Sequence, residues 1–274
     1  MFQQEISLII LQSLFIYLFF KYPIFNLKIQ NIVTKDKFLS NTDLIIVNIL
    51  VFLNIFIFFS ILTIKITYFF YTYLLLLFFI FFKNFNKKKL HIGYNDLIIL
   101  LITIILSFDL AYELIFGWDV QWFWYFKALN LYSDQSFLNL KNLPVSDYPH
   151  MGPYIWGFFW KFPFGNYEYL GRIAYIFFYI IGVFSFSETL KINNQLRFIF
   201  SLLIILATYK YDLFNGDPDI LIFIFLLFAS KYIFYLYDPV NKKKHLILII
   251  LLLAISNILF WIKHESIFFI MFII

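Results

Sequence analysis

Residues 44–82 read LIIVNILVFLNIFIFFSILTIKITYFFYTYLLLLFFIFF, an apolar stretch in which Lys65 is the only charged residue. A transmembrane helix takes about 17–25 residues, so this stretch is too long for one span. It predicts a helical hairpin that bends near Thr63-Ile64-Lys65. The stretch therefore indicates an all-α, polytopic transmembrane protein.

Similar runs lie on both sides of the hairpin. The run Ile6–Phe20 is short and predicts a retained, marginal first helix. Further spans are predicted at Leu97–Phe116, Leu170–Phe186, Phe198–Thr208, Ile220–Leu236 and His245–Trp261, with a last one from Ile267. The sequence stops inside this last run, so we expect a fragment whose carboxyl-terminal helices are missing.

The composition supports a membrane protein. The 274 residues are 63% hydrophobic, 24% aromatic and 14% charged, whereas a soluble domain carries about 25% charged residues. The absence of cysteine excludes a disulfide scaffold and a thiolate metal site. The net charge of +5 does not predict nucleic-acid binding, because the cations form short tracts, Lys87–Lys89 and Lys242–Lys244, between apolar runs.

These tracts predict the orientation, because lysine-rich loops stay in the cytoplasm. The outer face then receives the loops Gly117–Lys161, Tyr209–Asp219 and Trp261–Ser266, provided that Gly152–Phe164 is a re-entrant or surface helix. Many of the 16 acidic residues fall on or near that face: Asp109, Glu113, Asp119, Asp134, Asp147, Glu168, Asp212, Asp217, Asp219 and Glu265. Acidic residues contribute little to topology, so their clustering needs a chemical explanation.

The segment Trp118–Tyr132 contains no helix breaker and is rich in aromatic residues. At 100° per residue, an arc of about 80° holds Asp119, Lys127, Asn130 and Asp134. The pattern predicts a helix in the membrane plane, with its rings at headgroup depth and its polar stripe facing outward. An aromatic anchor without a further role is the alternative.

Three shorter motifs also carry charge on the outer face. Asp147 and His150 flank Pro149 in a segment that is either part of a site or a connecting turn. The segment Asp217-Pro218-Asp219 is either a helix cap or an Asp-x-Asp motif that binds a divalent cation or sugar hydroxyls. In the third motif, Lys263 and Glu265 flank His264 at the outer end of a helix. These residues are either part of the functional site or a solvated charge cluster at the membrane interface.

Intramembrane carboxylates are a separate signal. Asp109 and Glu113 lie four residues apart on the outer half of one span, so they share a helical face. Ionisable residues within spans are functional candidates by default. The alternative is that both simply reach the outer interface. The sequence contains neither a glycine-rich phosphate loop nor histidines at zinc-ligand spacing.

The order of these motifs resembles the C-type integral-membrane glycosyltransferases (GT-C), including bacterial proteins similar to dolichyl-phosphate-mannose–protein mannosyltransferases. The matching features lie between Leu97 and Ser266: Trp118-Asp119, Lys127-Ala128, Tyr148-Pro149 with Pro153, Phe164-Gly165, Arg172, Gly216-Asp217-Pro218-Asp219 and Trp261–Ser266. Residues 1–96 lie outside the resemblance and have no predicted role. Residues 97–274, with an outer loop at 117–169, correspond to the catalytic region.

The resemblance implies transfer of a sugar from a polyprenyl-phosphate donor to a glycan, lipid or protein acceptor. By position, Asp119 is the catalytic base, and Asp109 is its rival. The cations expected near the donor phosphate are Arg172, Lys263, Lys127 and His150. The groups expected to bind the acceptor, or a divalent cation if one takes part, are Asp217, Asp219, Glu265 and Asp147.

Two other classes of function stay open. A secondary transporter predicts ionisable residues near mid-bilayer and broken helices in repeated halves, whereas the charges of this sequence fall at helix ends. A non-catalytic assembly subunit is the third interpretation. The resemblance predicts a bacterial plasma membrane with the site on its outer face, in contact with membrane lipids.

Overall fold

The computed structural model is helical throughout the parts of the chain that it describes. These are residues 2–21, 40–62, 64–85, 93–112, 114–133, 142–143, 145–161, 167–190, 192–210, 212–238 and 244–273. The α-helices are α1 Phe2–Lys21, α2 Asn41–Ile61, α3 Ile66–Phe85, α4 Tyr94–Tyr112, α5 Tyr125–Tyr132, α6 Met151–Trp160, α7 Tyr169–Ser187, α8 Asn194–Thr208, α9 Asp219–Tyr237, α10 His245–Ile262 and α11 Ser266–Ile273.

Five helices are long and apolar enough to cross a membrane: α2, α4, α7, α9 and α10. The chain is therefore a multi-pass membrane protein. The predicted bend is confirmed, because one helix ends at Ile61, the next begins at Ile66, and Phe52 and Phe56 of α2 contact Phe69 of α3. The second arm, α3, is not among these five helices. The span predicted to reach Phe116 ends at Tyr112, four residues earlier. The lysine tract 87–89, Lys242, Lys243, Glu113 and Asp134 lie outside the described residues.

Helix α7 forms the centre of the bundle. Its side chains are buried almost throughout, as expected for a helix that is apolar all round. It packs against α1, α4, α6, α8 and α9. The amino-terminal helices belong to the same bundle, because α1 also packs on α4 and α2 packs on α10.

Helix α6 shows how the non-spanning segment Gly152–Phe164 is accommodated. All ten of its residues are buried, so it is inserted among the other helices and is not a surface helix. It packs between α5 and α7. Gly171 of α7 makes this contact close, because a Cβ there would fall on the Trp156 carbonyl oxygen and 3.0 Å from the Trp160 nitrogen.

We expect Gly171→Ala to destabilise the fold by about 3 kcal/mol or more, because the added methyl group meets rigid backbone. Thermal unfolding of the detergent-solubilised protein measures the effect. Gly182→Ala is the matched control on the same helix, since its Cβ would meet the flexible Leu227 side chain at 3.3 Å. Equal melting temperatures for the two variants would contradict the close α6–α7 contact.

The bundle has two ends with different polar groups. At the Lys231 end, the Nζ atom of Lys231 lies 2.6 Å from Asp43 and 2.8 Å from Glu188. Nearby, Lys21 at the end of α1 pairs with Asp96 at the start of α4, 2.9 Å away. The opposite end, where α9 begins and α10 ends, carries most of the predicted site residues and is called the Asp219 end.

Candidate functional site

Three glycines bring the loops of the Asp219 end into contact. Gly216 has a φ of +101°, which favours glycine, and a Cβ there would lie 2.8 Å from Trp156 and 2.9 Å from Val120. Gly117 lies against Asn215, and Gly152 lies against Pro218. The loop before α9 is therefore held against both the aromatic helix and α6.

The acidic cluster of this end consists of Asp119, Asp217 and Asp219, together with Lys263. Lys263 Nζ lies 2.8 Å from the Asp219 carboxylate. The pKa of Asp217 is raised by burial, by the charge of Asp219 and, to a smaller extent, by that of Asp119. The start of α9 and the turn after α10 thus meet at this end, and the segment that carries Asp119 adjoins them where Gly117 lies against Asn215.

The cap at the start of α9 is close to its predicted form. The Asp217 carboxylate accepts a hydrogen bond from the backbone N–H of Asp219 at 3.2 Å. The helix begins at Asp219 with Pro218 at the N-cap position, so the predicted boundary is right within two residues. Asn215 Oδ1 accepts from the N–H of Asp217 at 2.9 Å. Capping thus fixes the orientation of Asp217, while Asp219 stays 57% exposed.

Lys263 is the cation that this cluster holds in its charged form. Burial alone would lower its pKa, but the hydrogen bond and negative charge of Asp219, with the charge of Asp217, raise it above the usual lysine value. The side chain is 18% exposed. Lys263 is therefore a positively charged side chain that is partly exposed within the cluster.

A second group of contacts joins the segment at residues 145–148 to the turn after α10. The Tyr148 hydroxyl donates to Glu265 at 3.1 Å. The His264 Nε2 atom lies 3.2 Å from the Asp147 carbonyl oxygen, and the Tyr148 and His264 rings are 5.0 Å apart. A hydrogen bond from its own backbone and the Tyr148 hydroxyl lower the pKa of Glu265. The segment that contains Asp147 and the turn that contains Glu265 are thus in direct contact.

Lys127 does not lie where the sequence predicts. It was expected on an outward polar stripe with Asp119 and Asn130, but its side chain is fully buried. A π-helical turn, Val120–Trp124, precedes it, and such a turn changes the angle between residues on either side. The prediction of an outward-facing Lys127 is therefore wrong, whereas Asp119 is exposed.

Buried Lys127 supports the segment that carries Asp147. Its Nζ atom donates to the Val145 carbonyl at 2.5 Å and reaches the Tyr148 carbonyl at 3.5 Å. Val145 has a φ of 52°, which is an outlier for a β-branched residue. Burial lowers the pKa of Lys127 to about 8, although the charge of Asp147 opposes this shift. The described contacts of Lys127 thus make it a positioning residue.

His150 sits at the start of α6 and is largely uncharged at neutral pH. Burial, with the nearby charge of Lys127, lowers its pKa to about 3. A neutral imidazole can donate a hydrogen bond to a phosphate but supplies no positive charge. Its predicted role near a donor phosphate is thereby reduced to hydrogen bonding.

We expect His150 to make the protein sensitive to acid. Its pKa is about 3 in the folded state and about 6.5 in an unfolded chain. Between these values the unfolded chain binds a proton that the folded protein does not, so stability falls as the pH drops below about 6.5. The loss attributable to His150 reaches roughly 2 kcal/mol at pH 5.

Melting curves of the wild type and of His150→Gln between pH 7 and pH 5 test this prediction. The variant should lose less stability over that interval. His264→Gln is the matched control, because it removes an exposed histidine from the same end. Parallel curves for the wild type and His150→Gln would show that His150 is not the acid-sensitive group.

Arg172 lies inside the bundle with no exposed surface. Its guanidinium group pairs with Glu168 at 2.6 Å and donates to the Phe214 carbonyl at 2.9 Å. It also packs against the rings of Phe116 and Trp156. Burial raises the pKa of Glu168, although the charge of Arg172 opposes the shift. A phosphate could reach Arg172 only if this pair opened.

Asp109 lies in the last turn of α4, where the described residues offer its side chain no hydrogen bond or ion pair. The same residues contain no group of three or more His, Asp and Glu side chains placed to hold a metal ion. Asp217 and Asp219 thus have no third metal ligand among them.

Sequence reasoning missed two parts of this arrangement. The sequence places Tyr148 in a proline motif, yet its hydroxyl connects two segments. Asn215 lies in the predicted outer loop Tyr209–Asp219, and its side chain fixes the backbone before Asp217. An Asn-Gly pair marks a turn, and this signal could have identified Asn215. Comparisons with known protein families, curated proteins and solved structures found no match to this chain.

Proposed function

We propose that this chain is a GT-C-like membrane glycosyltransferase that transfers a sugar from a polyprenyl-phosphate donor to a glycan, lipid or protein acceptor. Its site would lie at the Asp219 end, on the outer face of a bacterial plasma membrane. One observation carries the proposal: the loop with Asp217 and Asp219 packs against the aromatic helix that holds Asp119, through the contacts of Gly117 with Asn215 and of Gly216 with Val120, and Lys263 pairs with Asp219. The motif order between Leu97 and Ser266 supplies the reaction class.

Asp119 is suited to the role of general base. It is exposed, and no hydrogen bond or ion pair among the described residues occupies its carboxylate. An ionised carboxylate can take the proton of an acceptor hydroxyl as the oxygen attacks the anomeric carbon. Asp217 and Asp219 would orient the sugar hydroxyls by accepting hydrogen bonds from them.

Lys263 is the cation best placed for the leaving phosphate. Negative charge develops on this phosphate as the glycosidic bond breaks, and a fixed cation stabilises it. Inside the bundle, Arg172 is paired with Glu168, Lys127 donates to backbone carbonyls, and His150 is uncharged. Lys263, in contrast, stays charged at the surface. The pair with Asp219 holds its ammonium group within the cluster.

The exposed rings of the aromatic helix support a site at the depth where a lipid phosphate lies. Trp118, Trp122 and Phe126 are 70%, 55% and 44% exposed on this helix. Trp rings favour the boundary between headgroups and hydrocarbon. Asp119 follows directly after Trp118, so it would stand at the same depth as the phosphate of a membrane-anchored donor.

Reconstitution into proteoliposomes tests the proposal. Radiolabelled polyprenyl-phosphate sugars are supplied, and release of polyprenyl phosphate is measured with and without lipid, glycan and peptide acceptors. We expect protein-dependent release with at least one hexose or pentose donor. A purified, monodisperse protein that neither binds nor consumes any polyprenyl-phosphate sugar would exclude this function.

Labelling from each side of the membrane tests the orientation separately. The chain contains no cysteine, so cysteines introduced at positions 119 and 219 are the only thiols. We expect a membrane-impermeant reagent added outside intact cells to label both positions. Labelling of the two positions from opposite sides would exclude a shared site.

A secondary transporter is the second candidate, and one observation favours it. Lys231 and Asp43 are charged groups buried inside the bundle, and buried ionisable residues commonly mark ion pathways. Substrate flux in proteoliposomes without any lipid-linked sugar would support a transporter. Sugar transfer without flux would support the enzyme.

A further inference from the structure

A polar notch lies at the Lys231 end, away from the proposed catalytic site. It has a volume of about 50 Å³ and is formed where α4 begins, α7 ends and α8 begins. Its lining residues are Asn95, Phe184, Ser187, Glu188, Asn194, Arg197, Phe198 and Ser201. The proposed function does not use any of these residues.

The notch contains one carboxylate and one guanidinium group. Glu188 is fixed by hydrogen bonds from the hydroxyls of Ser40 and Thr42 and by its ion pair with Lys231. Its Oε1 atom accepts only from Thr42 among the described residues, which leaves a lone pair for another donor. Lys231 is also shared with Asp43, so two carboxylates have one buried cation between them.

Arg197 forms the positive side of the notch. Its Nε atom donates to the Leu190 carbonyl at 3.2 Å, which fixes the guanidinium group. No hydrogen bond from the described residues engages its two terminal nitrogens. A guanidinium group held in this way can bind a phosphate through two parallel hydrogen bonds.

The notch also changes from polar to aromatic with depth. Phe184 lies one helical turn before Glu188, and Phe198 one turn after Asn194, so both rings lie closer to the bundle centre. The two rings are 6.4 Å apart. Asn95 and Asn194 are exposed at the mouth. Such a gradient leaves the polar groups at the mouth, where a headgroup can reach them.

We propose that this notch binds the headgroup of a phospholipid that carries both a phosphate and a primary ammonium group, such as phosphoethanolamine. Arg197 takes the phosphate, and Glu188 takes the ammonium. The paired opposite charges favour a zwitterion over a purely anionic headgroup. The notch, of about 50 Å³, takes the ammonium end of the headgroup and favours a primary ammonium over a trimethylammonium group, while the phosphate stays at the mouth with Arg197 and the acyl chains stay outside.

Native mass spectrometry of the detergent-solubilised protein tests the proposal. The probes are phosphatidylethanolamine, phosphatidylcholine and phosphatidylglycerol with identical acyl chains, and free phosphoethanolamine and inorganic phosphate as competitors. We expect phosphatidylethanolamine to bind about tenfold more tightly than the other two lipids. Arg197→Gln should weaken its binding by about tenfold or more, because a charge-assisted hydrogen bond is lost.

Two further variants keep the test decisive. Asn194→Asp places a negative charge beside the phosphate, so it should weaken lipid binding as Arg197→Gln does. The variant should still fold, because an acidic residue is favourable in the first turn of a helix. Lys210→Gln is the matched control, since it removes an exposed cation from the connection between α8 and α9 and should leave binding unchanged.

Several results would overturn the proposal. Equal binding of phosphatidylethanolamine and phosphatidylcholine would exclude recognition of a primary ammonium group. Arg197-dependent preference for phosphatidylglycerol would indicate an anion site without a role for Glu188. Competition by inorganic phosphate at the same concentration as lipid would indicate a free-phosphate site. Unchanged lipid binding in both Arg197→Gln and Asn194→Asp would place the lipid elsewhere.

Discussion

Asp119→Asn is expected to lower the rate of sugar transfer by about 100- to 10,000-fold, the usual range for loss of a general base. The substitution keeps the size of the side chain and removes its ability to take a proton. Because Asp119 is exposed and makes no described ion pair, the fold and the melting temperature should be unchanged. Donor binding should also persist, since Lys263 is retained.

Single-turnover assays with a fixed polyprenyl-phosphate sugar measure this effect. Asp212→Asn is the matched control, because it makes the same change at an exposed position in the loop before α9. Asp109→Asn tests the rival base. A wild-type rate in Asp119→Asn, combined with a large loss in Asp109→Asn, would transfer the catalytic role to Asp109.

Lys231→Met is expected to destabilise the folded protein by about 3–5 kcal/mol, which is typical when one partner of a buried ion pair is removed. Lys231 is fully buried, and Asp43 is 1% exposed. Without the lysine, Asp43 and Glu188 face each other as carboxylates with no shared cation. Thermal unfolding in detergent measures the loss, and Lys65→Met at the exposed bend is the control.

A second substitution distinguishes lost charge balance from lost packing. The pair Lys231→Met and Asp43→Asn removes one positive and one negative charge, so it should recover much of the stability lost in Lys231→Met. A double variant less stable than Lys231→Met would show that each group contributes independently. A single variant as stable as the wild type would contradict the buried ion pair.

The spans were predictable because the membrane imposes their length and composition. The apolar run 44–82 exceeds one span, and Lys65 marks the bend that the structure shows between Ile61 and Ile66. Helix α6 was identified as too short to span, but its complete burial was not predicted. That burial depends on close contacts such as Gly171 with Trp156, which no local pattern contains.

The site was predictable in composition but not in the direction of its side chains. Asp119, Asp217, Asp219 and Lys263 are predicted on one face, and the structure shows two contacts among them: Lys263 lies 2.8 Å from Asp219, and Asp217 accepts from the Asp219 N–H. The inward turn of Lys127 depends on a π-helical segment that a regular helical wheel does not contain.

The ion pair of Lys231 was missed for a different reason. Asp43 and Glu188 lie far from it in sequence, and the contact depends on how α2 and α9 are rotated about their axes. Charges near helix ends also have a simpler explanation at the membrane surface, so the pattern gave no reason to pair them.

The buried lysine also has a consequence for biosynthesis. Tyr232, next to Lys231, follows Asp43 by 189 residues, and ribosomes add about 5–20 residues per second. At that rate Asp43 is without its lysine for roughly ten to forty seconds, and over that time Ser40, through its backbone N–H and hydroxyl, is its local hydrogen-bond donor. The nascent hairpin must keep its first turn near water, or beside the insertion machinery, until the ninth helix is released.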